Sequence, residues 1–314
     1  MSQQITTAMV DMFSANVMHL SQQNESRLWE HCRQETQSSE SKFYDRVGLG
    51  KVRRKEGRHS DIVYSDTPHS RRMVTTEDWY EADIVDDEDK LRVIMNPESE
   101  YAIAFAAALG RNMDEEIIAA VLGSAFGGKK GTQVIALPDS QKLVAVSAGA
   151  FSGLNIETLR RARKQFKQKE AIKKNDKLIF CYAAQQADDL LGTTEVTSAD
   201  FNSVKALVDG EADTFMGFKF VSTELLPFNS AAVTFDLADG SVGAGAGTVA
   251  IGDGRRCMVF TPKRGILFAK AREVSARITE LPNKHYANQV YAAHSIGGTR
   301  MEEEQVMEVI CQEL

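Results

Sequence analysis

Cysteine is scarce in this chain, and its four copies, Cys32, Cys181, Cys257 and Cys311, stand far apart. No pair has the close spacing of a zinc or thiol-redox motif, so buried free thiols are the expectation. Histidine is nearly as sparse: His19, His31, His59, His69, His285 and His294 include no helical pair flanking a glutamate and no cluster with the cysteines. That leaves a metal centre without support. No apolar run reaches the ~18 residues of a membrane span; Ala102 to Leu122 comes nearest and is broken by Arg111, Asn112, Asp114, Glu115 and Glu116. The opening MSQQITTAMVDMF lacks the basic start, apolar middle and small-residue cleavage site of a secretory signal. Nor is there a Gly-x-Ser-x-Gly nucleophile elbow, and Gly243, Gly245 and Gly247 lack the third-glycine spacing of a dinucleotide fingerprint. An excess of positive charge is also missing: the net charge of −7 argues against a chain whose main task is gripping nucleic acid.

What is present suits a folded protein. Apolar residues make up 43% and charged residues 26% of 314 positions, enough for two or three lobes or one extended particle. Residues 1–45 read as a polar arm with one amphipathic stretch, Met9, Met12, Phe13, Val17 and Leu20 at helical spacing. Leu28 and Trp29 then supply its main large apolar contacts, little area to offset the entropy of ordering, so the arm is expected to order against a partner.

Charge is blocked rather than mixed. Between 46 and 75, Arg46, Lys51, Arg53, Arg54, Lys55, Arg58, Arg71 and Arg72 face only Glu56, Asp61 and Asp66. Glycines at 48, 50 and 57, Pro68 and the short run Asp61-Ile62-Val63-Tyr64 predict an extended hairpin or loop. From Glu77 to Asp89 the chain then holds eight acids and no base, among them Glu77, Asp78, Asp86, Asp87 and Asp89. Two solvated faces would account for this; so would a long arm that docks on the acidic block of a neighbouring copy.

Asn96-Pro97-Glu98 predicts a helix start. Tyr101, Phe105, Leu109, Met113, Ile117 and Val121 recur every four residues, and the pattern is expected to run to Gly127-Gly128. Residues 129–150 read as a hairpin turning at Pro138-Asp139-Ser140. A second helix begins at Asn155 with Leu154 and Leu159 as a staple, Ala162 and Phe166 inside, and a basic outer face. A buried strand at 177–182, polar helices near 185–191 and 198–208, and a β-rich run from 216 to 262 follow, in an α+β mixture without regular βαβα alternation. The glycine-rich segment 240–254 reads as a mobile surface loop, and alternating strands after Lys263 precede an acidic terminal segment.

The sharpest enzymatic candidate is Gly123-Ser-Ala-Phe-Gly-Gly128-Lys129-Lys130, a near match to a phosphate-binding loop. It places Lys130 where the motif needs Ser or Thr, and its glycines close a helix instead of joining a strand to one. The carboxylate runs Asp86–Asp89 and Glu302–Glu304 each lie on one polar segment, unlike an acid–base pair facing a cleft. The basic face of Arg160, Arg161, Arg163, Lys164, Lys167, Lys169, Lys173 and Lys174 suits either phosphate contact or a solvated or subunit-facing surface. Arms, charge blocks and loops are devices of association rather than catalysis.

The order of these features resembles that of tailed-phage major capsid proteins with the Hong Kong ninety-seven-like fold, over nearly the whole chain. Arg71-Arg72-Met73-Val74 before Asp83-Ile84-Val85-Asp86, Arg111-Asn112-Met113-Asp114-Glu115 leading into Ile117–Gly123, Leu154–Ala162, Ser198-Ala-Asp-Phe201 and Gly217–Ser222 are similar to phage coat wording. The resemblance implies an N-terminal arm (1–45), an extended loop (46–92), a peripheral domain with a spine helix (93–150), an axial domain (151–262) and a return to the peripheral domain (263–314). It further implies a virion protein that assembles in the host cytoplasm, as hexamers and pentamers, into an icosahedral head. The head would enclose double-stranded DNA without sequence-specific binding, cofactor or membrane contact. Arg53, Arg54, Lys55 and Arg58 become interface candidates on this reading, with Arg71 and Arg72, opposite Glu77, Asp78, Asp86, Asp87 and Asp89. A separate scaffolding protein, a portal and a decoration protein are the expected partners. Some relatives carry Lys–Asn crosslinks, for which Lys51 or Lys55 with Asn283 or Asn288 would be the candidates. An encapsulin-type cargo shell shares the fold; a nucleotide-binding enzyme at Gly123–Lys130 is the alternative of a different class.

Overall fold

The computed structural model describes residues 23–55, 57–59, 61–85, 97–173, 176–192, 214–243 and 245–313. The amphipathic stretch at 9–20, Asp86, Asp87, Asp89, Asn96 and the helix expected at 198–208 lie outside them.

A helix α1, Pro97–Leu122, runs the length the four-residue repeat demands, roughly 40 Å at ~1.5 Å per residue. Phe105, Leu109, Met113, Ile117 and Val121 are buried on one face. That face lies on the four-stranded sheet β1 (Arg33–Thr36), β16 (Ile266–Leu281), β17 (Ala287–Arg300) and β4 (Glu77–Val85), ordered β1-β16-β17-β4. Phe105 and Leu109 meet Val290 and Ala292 of β17. Close approach at the other end of the helix depends on Gly298, where a Cβ would stand 2.9 Å from that of Ala120.

The helix stops at Leu122, short of the Gly127-Gly128 end expected from sequence. Buried Arg300 explains the stop: its guanidinium donates to Val121 O at 2.6 Å, Ala120 O at 3.4 Å, Ile135 O at 3.0 Å and also Gly123 O, gathering carbonyls the helix leaves unpaired. Residues beyond it join a different ladder, β5 (Ala125–Gly127), which pairs with β3 (His69–Thr75) and β6 (Gln133–Ile135).

The hairpin expected over 129–150 does not form. β6 stays with β5, whereas β7 (Lys142–Val144) runs parallel to β18 (Val306–Gln312) in a six-stranded sheet. That sheet, ordered β11-β12-β10-β15-β18-β7, is completed by β10 (Leu178–Tyr182), β11 (Thr214–Phe215), β12 (Phe218–Ser222) and β15 (Gly254–Phe260). The acidic terminal segment is thereby corrected: β18 is an inner strand, buried from Val306 to Cys311, with its one acid Glu308 paired to Arg256 at 2.5 Å. The apolar run Val306, Met307, Val309 and Ile310 outweighs the flanking glutamates.

Helix α2, Ile156–Gln168, covers this sheet as its sequence predicts, capped by Asn155 Oδ1 accepting from Thr158 N at 2.8 Å, with Leu154, Leu159, Ala162 and Phe166 buried. A third helix, α3, spans Ala184–Gly192. A small ribbon, β8 (Val146–Ser147) with β9 (Ala150–Phe151), precedes α2. The glycine-rich segment is only partly a loop: β13 (Val233–Phe235) pairs with β14 (Gly247–Val249), and the Phe235 ring lies 2.5 Å from where a Cβ on Gly247 would stand. There the glycines make room for an aromatic side chain. The two alternating runs after Lys263 are one continuous strand, β16, with register shifts at Lys270–Ser275. All four cysteines are buried and free.

Candidate functional site

The most conspicuous surface feature is an arm. β2 (Ser41–Val47) pairs antiparallel with β3 from Ser41↔Thr75 to Val47↔His69, so a hairpin forms whose first strand comes mostly from the segment 1–45 that the sequence reading kept as a separate polar arm. Gly48 N donates to Pro68 O at 2.7 Å, and past that closure the described residues form no strand, including at Asp61–Tyr64. Leu49, Val52, Ile62 and Tyr64 are 93%, 101%, 77% and 87% exposed. Four large apolar side chains on one projecting segment mark a surface that a monomer has no use for.

Arg53, Arg54, Lys55 and Arg58 lie on this projection, exposed, and no acid among the described residues pairs with them. Arg71 and Arg72 sit lower, at the arm's root. Arg71 clamps the hairpin to itself, donating to Asp45 Oδ1 at 2.6 Å and Oδ2 at 3.3 Å, with its guanidinium 5.4 Å from the Phe43 ring centroid. That hydrogen bond holds the Asp45 carboxyl below the usual carboxylate range. Arg72 is 1% exposed and ion-paired within the chain to Glu303.

The acidic counterpart is β4, an edge strand of the α1 sheet, paired to β17 from Ile296↔Glu77 to Asn288↔Val85. Glu77 and Asp78 are exposed, as are Tyr80 at 71% and Ile84 at 44%. Asp78 accepts a hydrogen bond from Ser295, and Tyr80 stacks on Tyr291 at 5.9 Å. Burial, reinforced by Glu77, pushes the Glu116 carboxyl up. No ion pair among the described residues joins the arm cations to the β4 acids.

Three anchors escaped the sequence reading. Asp114 is fully buried and holds the segment before β1 against α1, accepting from Ser26 Oγ at 2.6 Å, Arg27 N at 3.0 Å and Leu28 N at 3.2 Å. Its position four residues before Ile118, on the apolar face, was the available signal. Arg300 and Glu303 carried none, because their partners are more than 160 residues away.

The near-phosphate loop has the wrong scaffold. Gly123 follows a helix, Ala125–Gly127 is a strand, and Gly128 at φ 83° opens the turn into β6, so no helix N-terminus faces an anion there. Among the described residues no three metal-ligating side chains converge. Among the described residues no helix is long and apolar enough to cross a membrane.

The fold is that of tailed-phage capsid proteins, the Hong Kong ninety-seven-like class. The capsid of cyanophage P-SCSP1u superposes with a TM-score of 0.72 at 15% identity, covering 97% of this chain and 93% of that one. The capsid of Ralstonia phage GP4 gives 0.68 at 9% identity over 97% and 96%. The mature capsid of bacteriophage PhiM1 gives 0.67 at 12% over 97% and 92%. No curated protein sequence matches. The family model described as phage capsid protein matches residues 5–313. The chain belongs to that family: it is a structural subunit of a virion shell, not an enzyme.

Proposed function

We propose that the subunit assembles into hexamers and pentamers of a closed icosahedral head, and that its arm docks on the acidic β4 edge of a neighbouring copy. The carrying observation is the arm itself, with exposed Leu49, Val52, Ile62 and Tyr64 interleaved with Arg53, Arg54, Lys55 and Arg58, none of which finds a partner within the described chain. Apolar area supplies the affinity of such a contact and opposite charge its register. Glu77 and Asp78 are the described acids for that role, with Asp86, Asp87 and Asp89 continuing the block. Arg71 and Arg72, already paired to Asp45 and Glu303, act by shaping the arm's root.

In the assembled shell we take 93–150 and 263–314 as the peripheral lobe around α1 and 151–262 as the axial lobe, with β7 and β18 contributing to the axial sheet. The head encloses double-stranded DNA through its closed wall and not through base recognition, and scaffold, portal and decoration proteins are separate chains. Electron microscopy and sedimentation of the purified chain, alone and coexpressed with neighbouring phage structural genes, test this reading. Uniform shells or five- and six-fold rings are expected. A compact monomer or dimer under every condition overturns it, efficient closed procapsids from this chain alone overturn the separate scaffold, and an enzyme instead of DNA inside identifies a cargo shell.

A further inference from the structure

One carboxylate at the arm's root serves both strands of the hairpin. Glu303 opens a short 3-10 turn, Glu303–Gln305, in the connection from β17 to β18, between the four-stranded and six-stranded sheets. Its Oε1 pairs with Arg72 Nη2 on β3, and its Oε2 lies 3.7 Å from Arg46 Nη1 on β2. Each oxygen thus serves a different strand of the hairpin. Arg46 also donates from Nη1 to Met301 O in the same connection, and from Nε to Ser70 Oγ across the hairpin at 3.1 Å.

The turn beneath is itself fixed. Thr261 N donates to Gln305 O at 3.0 Å, Thr261 Oγ1 donates to Gln305 Oε1 at 2.9 Å, and Met301 N donates to Gly265 O at 3.0 Å. Arg72 is buried, and its Nε and Nη1 have no hydrogen-bond partner, so the Glu303 charge is what compensates this cation. Backbone attachment of the arm to the β5 ladder is meanwhile short, two residue pairs, Arg72↔Gly127 and Met73↔Phe126. Val74 of β3 packs on Leu267 and Ala269 with Tyr44 of β2 beside them, so side chains at the root carry much of what fixes the arm's direction.

We propose that Glu303 is a positioning residue for assembly: by bridging both strands of the arm's root to the connection between the two sheets, it sets the direction in which the arm leaves the subunit. The consequence for docking rests on the arm reading above, but the aim of the arm is a property of the unassembled chain and is measured there. Spin labels on Val52→Cys, fully exposed in the arm, and Ile251→Cys, 66% exposed on the body, report the arm's direction by pulsed dipolar spectroscopy, the native cysteines being buried.

Arg46→Gln is the first variant, because Arg46 keeps 25% of its side chain in solvent and its loss leaves the Arg72 pair in place. Glu303→Gln removes the charge that bridges the two strands. The expected result is a rise of about tenfold in the population of off-axis arm distances in Glu303→Gln, the scale of losing one charge-assisted hydrogen bond. A smaller rise is expected in Arg46→Gln at unchanged melting temperature. A parental distance distribution in folded Glu303→Gln, or in folded Arg46→Gln, overturns the proposal. If Glu303→Gln does not fold, Arg46→Gln decides by itself.

Discussion

Arg300 is a cation with no room for water, held by backbone carbonyls at the negative end of α1. Burial depresses its proton affinity and Glu303 opposes the drop, while the carbonyl cage satisfies the donors of a guanidinium that stays charged. Arg300→Met would leave Val121 O, Gly123 O and Ile135 O without their donor, and a loss of roughly 3 kcal/mol is expected from orphaned buried acceptors. The urea midpoint would move down, and amide exchange would quicken at residues 118–122. His294 gives a pH-dependent counterpart. It is buried on β17, its Nε2 lies 2.8 Å from Asn112 Oδ1, and burial, helped by the Lys270 charge, lowers its pKa to about 4. The native state therefore holds neutral imidazole where the unfolded chain takes up a proton near pH ~6.5. Stability from this residue is complete above that pH and declines as the solution is acidified toward pH 4. Urea midpoints of parent and His294→Gln at pH 7 and 4.5 check this: the parent should lose more than the variant.

Among elements, α1 organises most of what surrounds it. Through Asp114 it fixes the chain entering β1, so Asp114→Asn should loosen residues 23–32 to proteolysis at a cost of about 1–3 kcal/mol, the usual penalty for a weakened buried hydrogen-bond hub. Through Gly298 it sits close to β17, where Gly298→Val should cost roughly 1–3 kcal/mol by overpacking against Ala120. Elements with strong local signals were legible from sequence. The four-residue repeat of α1, the Asn155 cap and staple of α2, and the β2–β3 arm all follow from residues near one another in the chain. What could not be read was partner choice. The runs on either side of Pro138 have hairpin composition, yet β7 is claimed by β18 more than 160 residues later. Likewise 301–314 looks acidic until Val306–Cys311 is seen to fill an inner position between β15 and β7. The arm as a candidate site was visible in its charges; its footing on Glu303 was not, since nothing local distinguishes that glutamate from Glu302 or Glu304.

For the whole molecule, a net charge of −7 makes copies repel at long range, against which the proposed docking of the basic arm on the acidic β4 edge supplies a local attraction. Screening shortens that attraction to about 10 Å at roughly 0.1 M salt. Shell formation should consequently weaken as salt rises, and Arg53→Glu with Arg54→Glu should raise the concentration needed for assembly about tenfold while leaving the subunit's melting temperature unchanged. Light-scattering onset across a salt series, compared with thermal denaturation of the unassembled chain, separates the two effects.

The place of β18 also sets a clock. Val306–Gln312 is made after every other described strand, yet it lies between β15 and β7, so the sheet has a gap until the ribosome has passed this stretch. The connection that carries Glu303 is drawn tight only when β18 is inserted. On the proposed role of Glu303, a nascent chain carries both strands of its arm well before it has the footing that aims them, because Val306–Gln312 follows them in synthesis.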